Sequence, residues 1–174
     1  MKHEIIQDEI PMNPRTEFDN LGTMVCGHKR YTVGDKDHGY NLDNYSGWKE
    51  LRKAIVKDHG PCVILPVYLL DHSGLRVNTI GFNHCDPQRW DWGQLGIIYV
   101  SHKKIRAKRV TKKLIERVTA NLRSEVKTYN QYLSGDVWGV RILDDDGNEV
   151  DSCWGFLGYE YAKQEAERML NEQN

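Results

Sequence analysis

The segment GDVWGVRILDDDGNEVDSCWGF, residues 135–156, restricts the fold more than any other stretch of the chain. Two runs with alternating apolar positions flank Asp146-Gly147, a dipeptide that supplies the positive φ angles of a tight reversal. A hairpin is therefore predicted, and with it an antiparallel sheet. Strand side chains alternate between faces, so Trp138, Val140 and Ile142 oppose Arg141. Val140 and Ile142 are predicted to point inward, against Leu114, Val118 and Leu122. The run DDDGN resembles part of a calcium loop but lacks the terminal Glu at the required spacing, and it is read as the hairpin tip.

The rest of the chain repeats this theme, with helices between hairpins. HEIIQDEI is a candidate first strand, PMNPRTEFDNLG a loop, and TMVCGHKRYTVGD a short strand and irregular turn followed by the polar loop HGYNLDNYSG. A helix is predicted from about Gly47 to Asp58, with Ser46 as N-cap and Trp48, Leu51, Ala54 and Ile55 on one face. CVILPVYLL is a buried strand. Pro66 lacks a ladder donor, which places it at an edge or a bulge. LRVNTIGF should pair with that strand across Ser73-Gly74, and GQLGIIYVS is a third strand. Ser101 caps a short helix. Thr111 caps a long one, to about Leu133, with an apolar stripe through Leu114, Ile115, Val118, Leu122, Val126, Tyr129 and Leu133. A last helix runs from Tyr159 to about Leu170. The fold class is α+β: a single domain over residues 1–174, with a mainly antiparallel sheet and three to four helices packed on it. No Gly-rich phosphate fingerprint or P-loop is present.

At 174 residues the chain suits one core of ordinary size. Its formal net charge of −1 hides an asymmetry. Residues 103–127 hold ten Lys or Arg against Glu116 and Glu125, a balance of +8. Lys103, Lys104, Arg106, Lys108, Arg109, Lys112 and Lys113 are candidate nucleic-acid contacts; a solvated helix face has the same pattern. The four Cys, at 26, 62, 85 and 153, show no CxxC spacing and fit free thiols in a reducing cytoplasm. Cys62 and Cys153 are read as small core residues. The N-terminus has no apolar signal core and no window could cross a membrane.

The polar loops carry the functional question. Asp71 and His72 stand together at the mouth of the Ser73-Gly74 turn, and a second loop carries His84, Cys85, Asp86, Asp91 and Gln94. Cys26-x-His28 and His84-Cys85 lack the spacing of a structural zinc site. Asp71, His72, Asp86 and Asp91 could serve hydrolytic metal chemistry, but an Asp beside a turn more often orders the backbone, and Asp71 is read that way. Nothing resembling a nucleophile elbow surrounds Ser73, Cys26 or Cys85. Tyr31, Tyr40, Tyr45, Trp90 and Trp92 lie in loops or at strand ends among Asp, Asn, His and Arg, the mixture used by protein-recognition surfaces. The candidate surface comprises Asp19, Asn20, His28, Tyr31, Asp71, His72, Trp90 and Asp91.

NPRTEFDNLGTMVCGHKRYTVGD, LPVYLLDHSG, WDWGQLGIIYVS, YNQYLSGDVWG and DSCWGF together resemble an uncharacterised family of small proteins encoded by bacteriophages and bacterial mobile elements. The likeness spans Asn13 to Phe156 and carries over no catalytic residue. It implies a genomic setting in which small non-structural proteins inhibit host machinery, anti-CRISPR and other anti-defence proteins among them. The expected function is a protein-binding accessory factor, acting in the cytoplasm of the bacterial host on a defence protein such as a CRISPR nuclease. No catalytic residue, cofactor or metal ligand is assigned. The alternatives are a small metal-dependent hydrolase or nuclease using Asp71, His72 and Asp91, and a nucleic-acid-binding regulator using residues 103–127.

Overall fold

The computed structural model describes residues 1–106 and 109–173. Their order is β1 (Lys2–Gln7), α1 (Pro14–Glu17), β2 (Thr23–Cys26), a 3-10 turn (Leu42–Asn44), α2 (Trp48–His59), β3 (Cys62–Asp71), β4 (Leu75–Asn78), β5 (Trp92–Ser101), α3 (His102–Ile105), α4 (Lys112–Leu133), β6 (Val137–Leu143), β7 (Glu149–Leu157) and α5 (Tyr159–Glu172). The class is α+β, with two antiparallel sheets ordered β1-β6-β7 and β2-β5-β3-β4. These strands and helices fall into two compact units, Met1–Glu17 with Thr128–Asn174, and Phe18–Lys127.

In the first unit β6 is the central strand, and α5 packs on the sheet. The predicted alternation holds. Val140 and Ile142 are fully buried, but their cluster consists of Ala162, Ala166 and Met169, with Ile5, Trp138, Phe156 and Leu170 at its margin. The partner helix is thus α5, whose small Ala residues let it approach the sheet. Leu114, Val118 and Leu122, the expected partners, belong to the other unit. On the opposite face Gly139 admits the ring of Trp154, because a Cβ there would fall 2.2 Å from Trp154 Cε3. The hairpin tip forms as expected: Asp144 Oδ1 accepts the N–H groups of Asp146 and Asn148, and Gly147 has φ of 85°. Cys153 is exposed rather than core: it pairs with Val140, but on β7, the edge strand of the sheet.

In the second unit Val25, Leu51, Ile55, Ile97 and Tyr99 form a core between α2 and the four-stranded sheet. Ile98, on the opposite face by strand alternation, meets α4: Gly22 lies where a Cβ would come within 2.8 Å of both Leu122 Cδ2 and Ile98 Cδ1. Glu125 of α4 completes that junction by accepting the N–H groups of Leu21 at 2.8 Å and Gly22 at 3.1 Å. Pro66 sits in the part of β3 that β4 leaves open, and a bulge follows at Val67/Tyr68. The cap of α2 is Gly47, not Ser46. Ser46 lies one residue earlier, and both its N–H and its hydroxyl donate to the Glu50 carboxylate, at 2.7 and 2.8 Å. Ser101 and Thr111 cap α3 and α4 as predicted, accepting from Lys104 N and Leu114 N at 3.2 Å each.

Candidate functional site

At the N-terminal end of β5, three segments of the second unit converge: the loop after β2, the end of β3, and the turn before β5. Residues 79–92 are held by a small cluster of Leu70, Phe82 and Trp92, with Tyr68 against it. Trp92 is the hub. Its ring stands edge-on to Tyr68 at 5.6 Å and to Phe82 at 6.2 Å, and its Nε1 donates to Asp86 O at 2.7 Å. Arg89, in the left-handed region with φ of 58°, lays its guanidinium 4.8 Å from the Trp92 ring centroid. Asp86 Oδ2 accepts from Asp91 N at 2.9 Å, and Asp91 O accepts from Asp71 N at 2.9 Å. With the bond from Arg89 N to Asp86 O at 3.2 Å, they fix the backbone on both sides of Trp90, which is left 83% exposed.

The polar residues fall into two pairs. His28 Nδ1 accepts the backbone N–H groups of Arg30 and Tyr31 at 3.1 Å each, so the ring N–H lies on Nε2. That nitrogen is 3.8 Å from Asp71 Oδ2, which Arg30 Nη2 approaches to 2.5 Å. The Tyr31 ring lies beside His28, tilted by 31° with centroids 5.0 Å apart. His72 Nδ1 meets Asp91 Oδ2 at 2.9 Å, with both side chains in solvent. An exposed pair of this kind contributes at most ~1 kcal/mol. Asp71 was expected to order its own turn, but its carboxylate reaches across to Arg30; Ser73 and Gly74 supply the reversal with φ of 54° and 128°.

Two clefts share Gly27 and His28 as a wall. One, of about 460 Å³, is lined by Arg30, Asp71, Trp90, Asp91 and Gln94. The other, of about 420 Å³, is more apolar, with Leu42, Tyr45, Trp48 and Leu51 beside Lys29 and Asp43. An apolar hole thus lies next to a polar groove, with the exposed Trp90 at the rim.

The structure thus brings together His28, Tyr31, Asp71, His72, Trp90 and Asp91. Asp19 and Asn20 lie elsewhere: Asn20 O accepts from Lys104 Nζ at 3.3 Å, beside α3, which follows the far end of β5. A ten-residue strand separates these places, about 30 Å at the usual rise. Lys103, Lys104, Arg106, Arg109, Lys112 and Lys113 are exposed near that far end and along the start of α4, while Lys108 lies outside the described residues. Arg30 and Arg89 were missed as site residues, and Asp86, considered only as a metal ligand, instead bonds the backbone of Asp91. The run His28-Lys-Arg-Tyr31 carried the signal for Arg30, since a cation two residues from a loop His can reach the carboxylate the His faces. Among the described residues no three His, Cys, Asp or Glu side chains group so as to hold a metal ion, and no helix is long and apolar enough to cross a membrane. No protein-family model, curated protein or solved structure matches this chain.

Proposed function

We propose that this chain is a protein-binding accessory factor of a bacteriophage or mobile element, which inhibits a host defence protein, a nucleic-acid-binding nuclease of CRISPR type being the target class. The Trp90 surface is the contact. The observation that carries this reading is Trp90 itself, exposed to 83% on a turn whose backbone is bonded on both sides. An indole in solvent gains free energy when a partner covers it. Burying ~200 Å² of aromatic surface at ~25 cal/mol per Å² gives roughly 5 kcal/mol before the costs of association. The order already imposed on the turn lowers those costs. The phage setting comes from the resemblance of the quoted stretches, and occlusion of a nuclease is the mode of action that setting suggests.

Purified target nuclease, presented to the tagged chain, should be retained with one-to-one stoichiometry. Trp90→Ala should keep the native melting temperature and weaken binding by about 30-fold or more, the ~2 kcal/mol of an interface anchor. Equal binding by the wild type and Trp90→Ala would remove this surface from the argument. Turnover of nucleic acid by the wild type in Mg²⁺ or Mn²⁺, abolished in folded Asp71→Asn or His72→Ala, would replace the reading with the metal-dependent nuclease.

A further inference from the structure

We infer that the outward face of α4, together with α3, is a separate site for the phosphate backbone of a nucleic-acid duplex. The near-neutral total charge conceals a division between the two units. Met1–Glu17 with Thr128–Asn174 holds five Lys or Arg against fourteen Asp or Glu, a balance of −9, whereas Phe18–Lys127 holds nineteen against eleven, a balance of +8. A net charge of −1 would argue against a polyanion ligand only if the charges were mixed over the molecule, and they are not.

Within the basic unit the excess sits on one face. At 100° per residue, Lys113, Arg117, Arg123 and Lys127 fall in a sector about 120° wide, opposite the buried Val118, Leu122 and Val126. They span about 21 Å along the helix axis. Ala120 and Ser124 lie between them and add no charge. Of the two acidic residues of this region, Glu125 is turned to the protein and Glu116 is exposed beside Lys112. Glu125 accepts the N–H groups of Leu21 and Gly22, and Glu116 is 3.9 Å from Lys112. Among the described residues no carboxylate lies within ion-pair distance of Lys103, Arg106, Arg109, Lys113, Arg117, Arg123 or Lys127. All seven are exposed. A row of unneutralised cations attracts a row of phosphates, and the gain comes from release of condensed counterions. The α4 face presents Lys, Arg, Ala and Ser, with no ring on which an unpaired base could stack. The ligand it fits is therefore a duplex, held by its backbone without base reading. This site is at the opposite end of β5 from Trp90, so it stands independently of the protein-binding surface.

The test is fluorescence anisotropy of the full chain with a labelled 20-base-pair duplex, as DNA and as RNA, in a salt series; the tighter of the two identifies the natural backbone. The logarithm of affinity should fall linearly with that of salt, with a slope of about −4 for four phosphate contacts. Replacing Lys113, Arg117, Arg123 and Lys127 with Gln should cut affinity at least tenfold and flatten the slope, with the circular dichroism spectrum and melting temperature kept. Replacing Lys49, Lys53 and Lys57 of α2 with Gln removes similar charge elsewhere and should change affinity less than threefold. Absence of duplex binding at low salt, equal losses in the two variants, or equally good competition by polyglutamate would overturn the inference.

Discussion

At Tyr40 the hydroxyl donates to Asp58 Oδ2 at 3.2 Å, and the ring stands edge-on to His59. His59 Nε2 is in turn 3.2 Å from the hydroxyl of Tyr99. This network ties the loop before α2 to the helix and to β5. Burial is the largest cause that pushes both tyrosines up from their ordinary value; at Tyr40 the neighbouring Tyr99 and Asp58 add to it. A raised native value means that the folded protein holds the proton more tightly than the unfolded chain does. The resulting stability is complete below the unfolded value of ~10 and is lost as pH rises through the native values. Absorbance at 295 nm should therefore show tyrosinate forming late, beyond the ordinary range, together with loss of native structure. Tyr40→Phe and Tyr99→Phe should each remove one equivalent from that late step. If both variants leave the late step intact, the network is not its origin. Tyr40 was legible in the sequence only as one of several loop aromatics. Its role depends on Asp58 and Tyr99, which are distant in sequence and give no local periodic signal.

At the scale of elements, the alternation in β6 was legible and its partner was not. Period-two patterning shows which residues share a face. It does not say which of two amphipathic helices covers that face, and both α4 and α5 carry a suitable stripe. The structure answers with Ala162 and Ala166, small residues whose value at a helix–sheet contact appears only once the helix is placed. Ile142→Ala should cost ~2–5 kcal/mol, as deletion of buried aliphatic groups does. The neighbouring change Arg141→Ala, on the opposite face with Glu4 and Glu149, should cost less than about 1 kcal/mol. Urea denaturation decides between them, and near-equal losses would mean that the burial of the two faces is misread. Caps were legible where a Ser or Thr sat directly before the helix, as at Ser101 and Thr111. At α2 the nearest Ser lay one residue too early, and the reach of Glu50 back to Ser46 left the cap position to Gly47.

For the whole molecule, the sequence conveyed the α+β class through its hairpins, yet the grouping of elements into two units depends on chain reversals that no local pattern encodes. Residues 1–17 join residues 128–174, more than one hundred positions later, because β1 pairs with β6 from Lys2↔Leu143 to Gln7↔Trp138. The two hydrophobic clusters that result share no residue: one contains Ile97 with Val25, Leu51, Ile55 and Tyr99, the other Ile142 with Val140 and α5. Substitutions without shared partners add, usually within ~0.5 kcal/mol, whereas those in one contact network couple by up to ~3 kcal/mol. Ile97→Val combined with Ile142→Val should therefore lose the sum of the two single losses, each ~0.5–1.5 kcal/mol. Ile97→Val combined with Leu51→Ala, inside one cluster, should deviate from its sum by more. The measurement is a double-mutant cycle by chemical denaturation with m-values compared, since a change in m would signal altered compactness or loss of two-state behaviour. Strong coupling between Ile97 and Ile142 would show that a single continuous core underlies both sheets, and would overturn the separation of the clusters.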